Sequence, residues 1–150
     1  MVNIEFKKLK EKPLLSYQIL DVNKNEIGCA EGFVNKHGCF LAVIKIFNDE
    51  YRNKGLGYSS FKMLFDELNP KVPIHTIMGG WNAGGEFAIY EDGMSTNLKV
   101  FNEKIQSGLS PKEAAMLTPT GKWAQKLGFS IVEIRCQSNE NVEVSFHKPE

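Results

Sequence analysis

The chain of 150 residues predicts a mixed α/β fold: a central mixed β-sheet of roughly six to seven strands flanked by helices, with a helical insertion between the fifth strand and the last helix. Three observations lead there. The first third of the chain reads as short strands joined by polar turns; a wholly apolar run in the middle gives way to helical periodicity and back; and two alternating segments end the chain after a helical stretch.

Leu15, Tyr17 and Ile19 alternate with Ser16 and Gln18, and turn-forming clusters follow at Asn23 to Glu26 and Asn35 to Gly38, which together predict an antiparallel meander. From Cys39 to Phe47 nearly every residue is apolar, the composition of a strand buried on both faces near the middle of a sheet. Phe61, Leu64, Phe65 and Leu68 then recur at helical spacing, opposite Lys62, Asp66 and Glu67, until Pro70 stops the helix. Val72 to Met78 returns to strand character, so the centre reads as a right-handed βαβ unit with parallel neighbouring strands.

Five glycines between residues 79 and 94, around Trp81, Phe87 and Tyr90, argue against regular structure there. A helix is expected near 96 to 107, where Leu98, Phe101 and Ile105 share a face and Gly108 supplies a left-handed stop. Ser110-Pro111-Lys112-Glu113 carries a capping box with proline at the first helical position, and Thr118-Pro119 opens the last helix similarly. That helix holds Trp123, Ala124 and Leu127 and ends at Gly128-Phe129. Val132, Ile134 and Cys136, then Val142, Val144 and Phe146, alternate as two final strands.

This length fits one domain over 1–150 with a core of its own. The 18 basic and 18 acidic residues cancel, leaving no summed field to attract nucleic acid or an anionic membrane. Three cysteines, Cys29, Cys39 and Cys136, show no C-x-x-C spacing and read as buried thiols of a reducing compartment. No run approaches the roughly 20 apolar residues of a membrane span, and no basic-then-apolar leader opens the chain; a cytoplasmic protein is expected. His37 falls in a turn and His147 at a strand end, so neither joins a metal set with the cysteines, and no metal is expected.

The most informative stretch runs from Ile44 through Arg52, Gly55 and Gly57 to Ser60. Its glycines sit where a buried strand passes into a helix, so main-chain amides and the positive end of the helix dipole are offered to an anion. The spacing matches neither a nucleotide P-loop nor a dinucleotide fingerprint.

Arg52-x-x-Gly55-x-Gly57 between strand and helix, with Lys126-Leu127-Gly128-Phe129 closing the last helix before a strand, resembles the GNAT acyltransferase superfamily. The resemblance covers about residues 15 to 80 and 118 to 148. It implies that Arg52, Asn53, Lys54, Gly55, Leu56, Gly57 and Tyr58 hold the pyrophosphate of acetyl-coenzyme A, and that Lys45, Ile46 and Phe47 pair with its pantetheine arm as an added strand would.

Two departures stand out. Ala124 occupies the position where many members of the superfamily carry the tyrosine that protonates the departing thiolate, and the neighbouring Trp123 has no proton to give at working pH. Residues 79 to 117 form an atypically long insertion, which fits an acceptor site or a docking surface. Candidate bases for an attacking amine are His75, on the predicted fifth strand, and Glu86 on the long loop, where Tyr90 also offers a replacement acid. Glu31 and Glu50 rank behind these. Trp81, Phe87, Tyr90 and Phe101 either line an apolar acceptor pocket or belong to the core.

The resemblance therefore implies direct transfer of an acetyl group from acetyl-CoA to a primary amine, on a small molecule or a peptide. The alternative is a coenzyme-A-binding or protein-interaction module that kept the fold without turnover. No nucleic-acid or membrane partner is expected, and the chain is expected to be a monomer or homodimer.

Overall fold

A computed structural model describes residues 3–47, 49–51, 55–83 and 96–150. Among them the chain forms seven strands and four α-helices, and it packs as two compact units, Met1–Ile74 and His75–Glu150. No described helix is long and apolar enough to cross a membrane.

In the first unit, β1 (Glu5–Lys10), β2 (Leu15–Leu20), β3 (Glu26–Val34) and β4 (Cys39–Ile46) form the expected antiparallel meander in sequence order. Its turns follow from short polar side chains closing on their own backbone: Asp21 Oδ1 accepts from the N–H groups of Asn23 and Asn25, both at 2.9 Å, and Asn35 Oδ1 from those of His37 and Cys39 at 2.9 and 3.0 Å. Helix α1 (Leu56–Leu68) covers one face of β3 and β4. It buries Phe61, Leu64, Phe65 and Leu68, the residues whose spacing predicts it, and the Phe40 ring meets Phe61 and Phe65 edge-on at 5.2 and 5.7 Å.

Beside that core a polar cluster ties β1 and β2 to α1. Tyr17 Oη donates to Glu67, and Lys8 Nζ donates to the other Glu67 oxygen at 2.7 Å. Burial works against ionisation of Glu67, but the hydrogen bonds from Lys8 and Tyr17 with the charges of Lys8 and Lys71 hold its carboxyl below the usual 4.5. Burial and the Glu67 bond push the Tyr17 phenol up.

The opposite face of the meander has a different composition. Strand alternation places three rows there. Lys7, Gln18, Cys29 and Lys45 form one; Lys10, Ser16, Glu31 and Val43 the next; Phe33 and Leu41 the third. Burial corrects one expectation: in β4 only Phe40 and Ile46 are buried, and the residues between are half-exposed. Apart from Lys45 the strand is apolar, yet Leu41 to Lys45 are all only partly buried.

In the second unit, β5 (Thr76–Asn82), β6 (Ile131–Gln137) and β7 (Asn141–His147) are antiparallel in the order β5-β7-β6. Helices α2 (Thr96–Gln106), α3 (Pro111–Met116) and α4 (Pro119–Lys126) accompany them, so α2 and α3 do lie between the fifth strand and the last helix. Val142, Val144, Phe146, Ile77 and Phe101 are fully buried. Trp81, 3% exposed, packs at 6.0 Å from Phe101; of the four aromatics proposed for an acceptor pocket these two are core, while Phe87 and Tyr90 lie outside the described residues.

Helix boundaries follow the sequence signals. Ser110 Oγ accepts from Glu113 N–H at 3.3 Å while the Glu113 carboxylate accepts from Ser110 N–H at 3.3 Å, and Thr118 Oγ1 accepts from Gly121 N–H at 3.0 Å. At the end of α4, Gly128 takes φ +93°, Gly128 N–H donates to Gln125 C=O at 3.0 Å and Phe129 N–H to Ala124 C=O at 2.8 Å. This is the Schellman stop, and it leaves Phe129 fully buried.

Three expectations are corrected here. Strand β5 runs through Gly79 and Gly80 to Asn82, where glycines suggested irregular chain. A Cβ on Gly79 would lie 2.8 Å from Trp81 Nε1 and 2.9 Å from Val144 Cγ2, so the glycine makes room for an indole and does not turn the chain. His75 precedes β5 and is exposed. None of the cysteines is buried: Cys29 and Cys39 are intermediate and Cys136 exposed. For Cys136 the cause is a register slip after Ile134, which sets it opposite Glu143 and not Val142; one residue of slip moves a side chain to the other face.

Candidate functional site

The strand-to-helix junction in the first unit is built on an apolar anchor. Ile46 at the end of β4 and Leu56 at the start of α1 are 9% and 4% exposed, and both join a cluster with Ile19 and Ile27, packed by Ile44 and Tyr51. A single 3-10 turn, Asp49–Tyr51, lies between them. Burying both ends fixes where the chain leaves the strand and where the helix begins.

At that helix start, Gly55 is the N-cap residue with φ +83° and ψ 1°, and no side chain caps the helix. Helices α3 and α4 both have hydroxyl caps; α1 has none. The first-turn amides of any helix lack intrahelical acceptors, so Leu56, Gly57 and Tyr58 turn theirs toward the N-terminal end, where the helix dipole adds positive potential. A Cβ built on Gly55 meets no atom within 4 Å, so the space beside it is open. This arrangement suits an anion held by main-chain groups.

The structure therefore brings together Ile46, Phe47, Leu56, Gly57 and Tyr58 around the Gly55 bend, with Lys45 one residue before Ile46. Arg52, Asn53 and Lys54 lie outside the described residues. Phe47 N–H donates to Ile27 C=O at 2.8 Å, so by antiparallel alternation Lys45 and Phe47 direct their main-chain groups to β3, and Ile46 directs its own away from β3. Burial and the negative charges of Glu50 and Asp21 push the Tyr51 phenol up, keeping it a neutral donor beside the bend.

Glu86 and Tyr90 lie outside the described residues, and His75 belongs to the second unit. Ala124 is fully buried and its carbonyl accepts from Leu127 and Phe129, while Trp123 beside it is half-buried. No three or more His, Cys, Asp or Glu among the described residues are placed to hold a metal ion.

The second unit contains a polar cluster that sequence reasoning missed. Ser145 is fully buried; its Oγ accepts from Arg135 Nε at 3.1 Å and lies 3.0 Å from His147 Nε2. His147 Nδ1 is 3.3 Å from Thr76 Oγ1, and Glu133 lies 3.9 Å from His147 and 3.7 Å from Arg135. The cluster laces β5, β7 and β6 together on the face away from the apolar core. The off-phase positions of β7, Ser145 between Val144 and Phe146 and His147 just after them, carried the signal.

No sequence family model matches the chain, and no curated protein matches it. Solved structures do. A GCN5-related N-acetyltransferase from Kribbella flavida is similar with a TM-score of 0.52 and 12% identity, over 95% of this chain and 73% of that one. An aminoglycoside 6'-N-acetyltransferase complexed with coenzyme A is similar with a TM-score of 0.53 and 13% identity, over 93% of this chain and 77% of that one. At these identities the likeness concerns architecture: the chain has the fold of the GNAT acetyltransferases.

Proposed function

We propose that the chain is an acetyl-CoA-dependent N-acyltransferase that moves an acetyl group directly to a primary amine. The observation carrying this reading is the uncapped start of α1 at Gly55, pinned directly behind a strand in a GNAT fold. The aminoglycoside acetyltransferase of that fold was solved with coenzyme A, which supports the same ligand here.

In this reading the amides of Leu56, Gly57 and Tyr58, with Arg52, Asn53 and Lys54, hold the pyrophosphate, and Lys45 to Phe47 line the pantetheine arm. Bound acetyl-CoA supplies an activated thioester carbonyl. The chain's residues must orient the amine, accept its proton and keep water out; His75, Glu86 and Tyr90 are the proposed proton carriers.

A second reading, a coenzyme-A-binding module without turnover, is favoured by Ala124, which leaves that position of the last helix with no proton to give a thiolate. One experiment separates the two: calorimetric titration with coenzyme A beside an assay of thiol release from acetyl-CoA against a panel of amines. Binding with release supports the enzyme; binding without release supports the module; absence of binding refutes both.

A further inference from the structure

The uncovered face of the first unit is ordered from end to end along β4. Leu41 begins it, Val43 follows, and Lys45 is the first of the residues assigned to the cofactor arm. Across the strands, Leu41 is paired with Phe33, Val43 with Glu31 and Glu31 with Ser16, and Lys45 with Cys29. The face is thus apolar at the end far from the cofactor loop, carries Glu31 on β3 and Lys10 on β1 in the middle row, and is cationic at the loop.

Glu31 is the only carboxylate in these rows. It is half-buried, and it makes no hydrogen bond or ion pair among the described residues. Its oxygens are not sealed from solvent either, since among the described residues no fully buried side-chain oxygen lacks a partner. A partly desolvated carboxylate without a partner attracts a cation, because its own hydration is already reduced. Phe33, 37% exposed, and the half-exposed Leu41 and Val43 present apolar surface immediately beyond it.

We propose that this face binds the acceptor, and that the acceptor is a cationic amine on an apolar body: its ammonium pairs with Glu31 while the body lies over Phe33, Leu41 and Val43. The assignment rests on the acyltransferase reading above and names its substrate class. It also sets the direction of binding. The ammonium lies one strand row, or about 7 Å, from Lys45, and the apolar body points away from the cofactor end. A carboxylate on the carbon bearing the amine meets Glu31 as a like charge, so amino acids are disfavoured.

The test compares 2-phenylethylamine, ethanolamine and phenylalanine as acceptors, with Glu31→Gln as the variant, since it preserves shape and strand pairing and removes the charge. Loss of one charge-assisted contact raises KM for 2-phenylethylamine about tenfold, with the affinity for coenzyme A unchanged. Ethanolamine, lacking the body, and phenylalanine are the poorer substrates. Equal use of all three amines, or an unchanged KM in Glu31→Gln, overturns the proposal. Amide chemical shifts on titration with 2-phenylethylamine, read with and without coenzyme A, separate this failure from that of the parent reading. Shifts at residues 29–33 and 41–45 support the acceptor face even if coenzyme A does not bind; coenzyme A binding with amine shifts confined to other residues refutes the face alone.

Discussion

Replacing Gly55 by alanine, asparagine and aspartate in turn separates backbone strain from charge at the proposed pyrophosphate site. At φ +83° alanine occupies a left-handed conformation that costs roughly 1–2 kcal/mol, which lowers Tm by about 2–8 °C for a chain of this size. Asparagine and aspartate tolerate that region better, so both should lose less. With nothing within 4 Å of the added Cβ, alanine meets no steric obstacle there, and asparagine and aspartate are nearly isosteric with each other. Any further loss of coenzyme A binding in aspartate relative to asparagine is then electrostatic. For one carboxylate about 6 Å from one phosphate charge, at an effective dielectric of roughly 20–80, the repulsion is about 1–3 kcal/mol, or about 5- to 150-fold in Kd. The assay is calorimetric titration with coenzyme A at about 0.1 M and about 1 M salt, where screening lengths of about 10 and 3 Å should shrink the gap between the two variants. Equal affinities of the asparagine and aspartate variants at low salt would refute an anion site at this bend.

Two further perturbations probe the scaffold. In Gly121→Ala the new Cβ would lie 2.2 Å from the Ala115 carbonyl oxygen and 2.9 Å from Met116 Cα; backbone must move, so the urea midpoint should fall by an amount equivalent to about 3 kcal/mol or more, and a loss under about 1 kcal/mol would contradict the tight α3–α4 corner. The Glu67 carboxyl is held below 4.5 in the folded chain, so the stability it contributes is present above its unfolded value and is lost as pH falls through the lowered folded one. Unfolding measured from pH 7 down to pH 3 should show that loss in the wild type, and Glu67→Gln should be less stable at neutral pH by about 1 kcal/mol and flatter in acid; parallel curves for the two proteins would rule the linkage out.

Much of the architecture was legible because local signals and tertiary packing agree. The period-two pattern of Leu15, Tyr17 and Ile19, the polar turns at Asn23 to Glu26 and Asn35 to Gly38, the Ser110 capping box and the Gly128 stop all act within a few residues of themselves, so the chain carries them wherever it folds. The Gly55 bend was legible for the same reason: glycine alone takes φ +83° at no steric cost. Misreadings came where a local signal had a distant cause. Gly79 and Gly80 looked like a turn because glycine usually marks one, but Gly79 answers to Trp81 and Val144 folding over it. Cys136 fits the apolar alternation of its strand until one slipped register reverses its face.

By itself the sequence determined the order and type of the elements, the glycine bend between β4 and α1, and the absence of a net charge, since each depends on residues close in the chain or on a sum over it. Only tertiary structure decided that β4 has one covered face, that Glu31 stands half-buried without a partner between Ser16 and Val43, and that Ser145 is laced to Arg135 and His147. Those facts depend on strand register and on which face a helix covers, and pairing between distant segments is written in no single stretch of sequence.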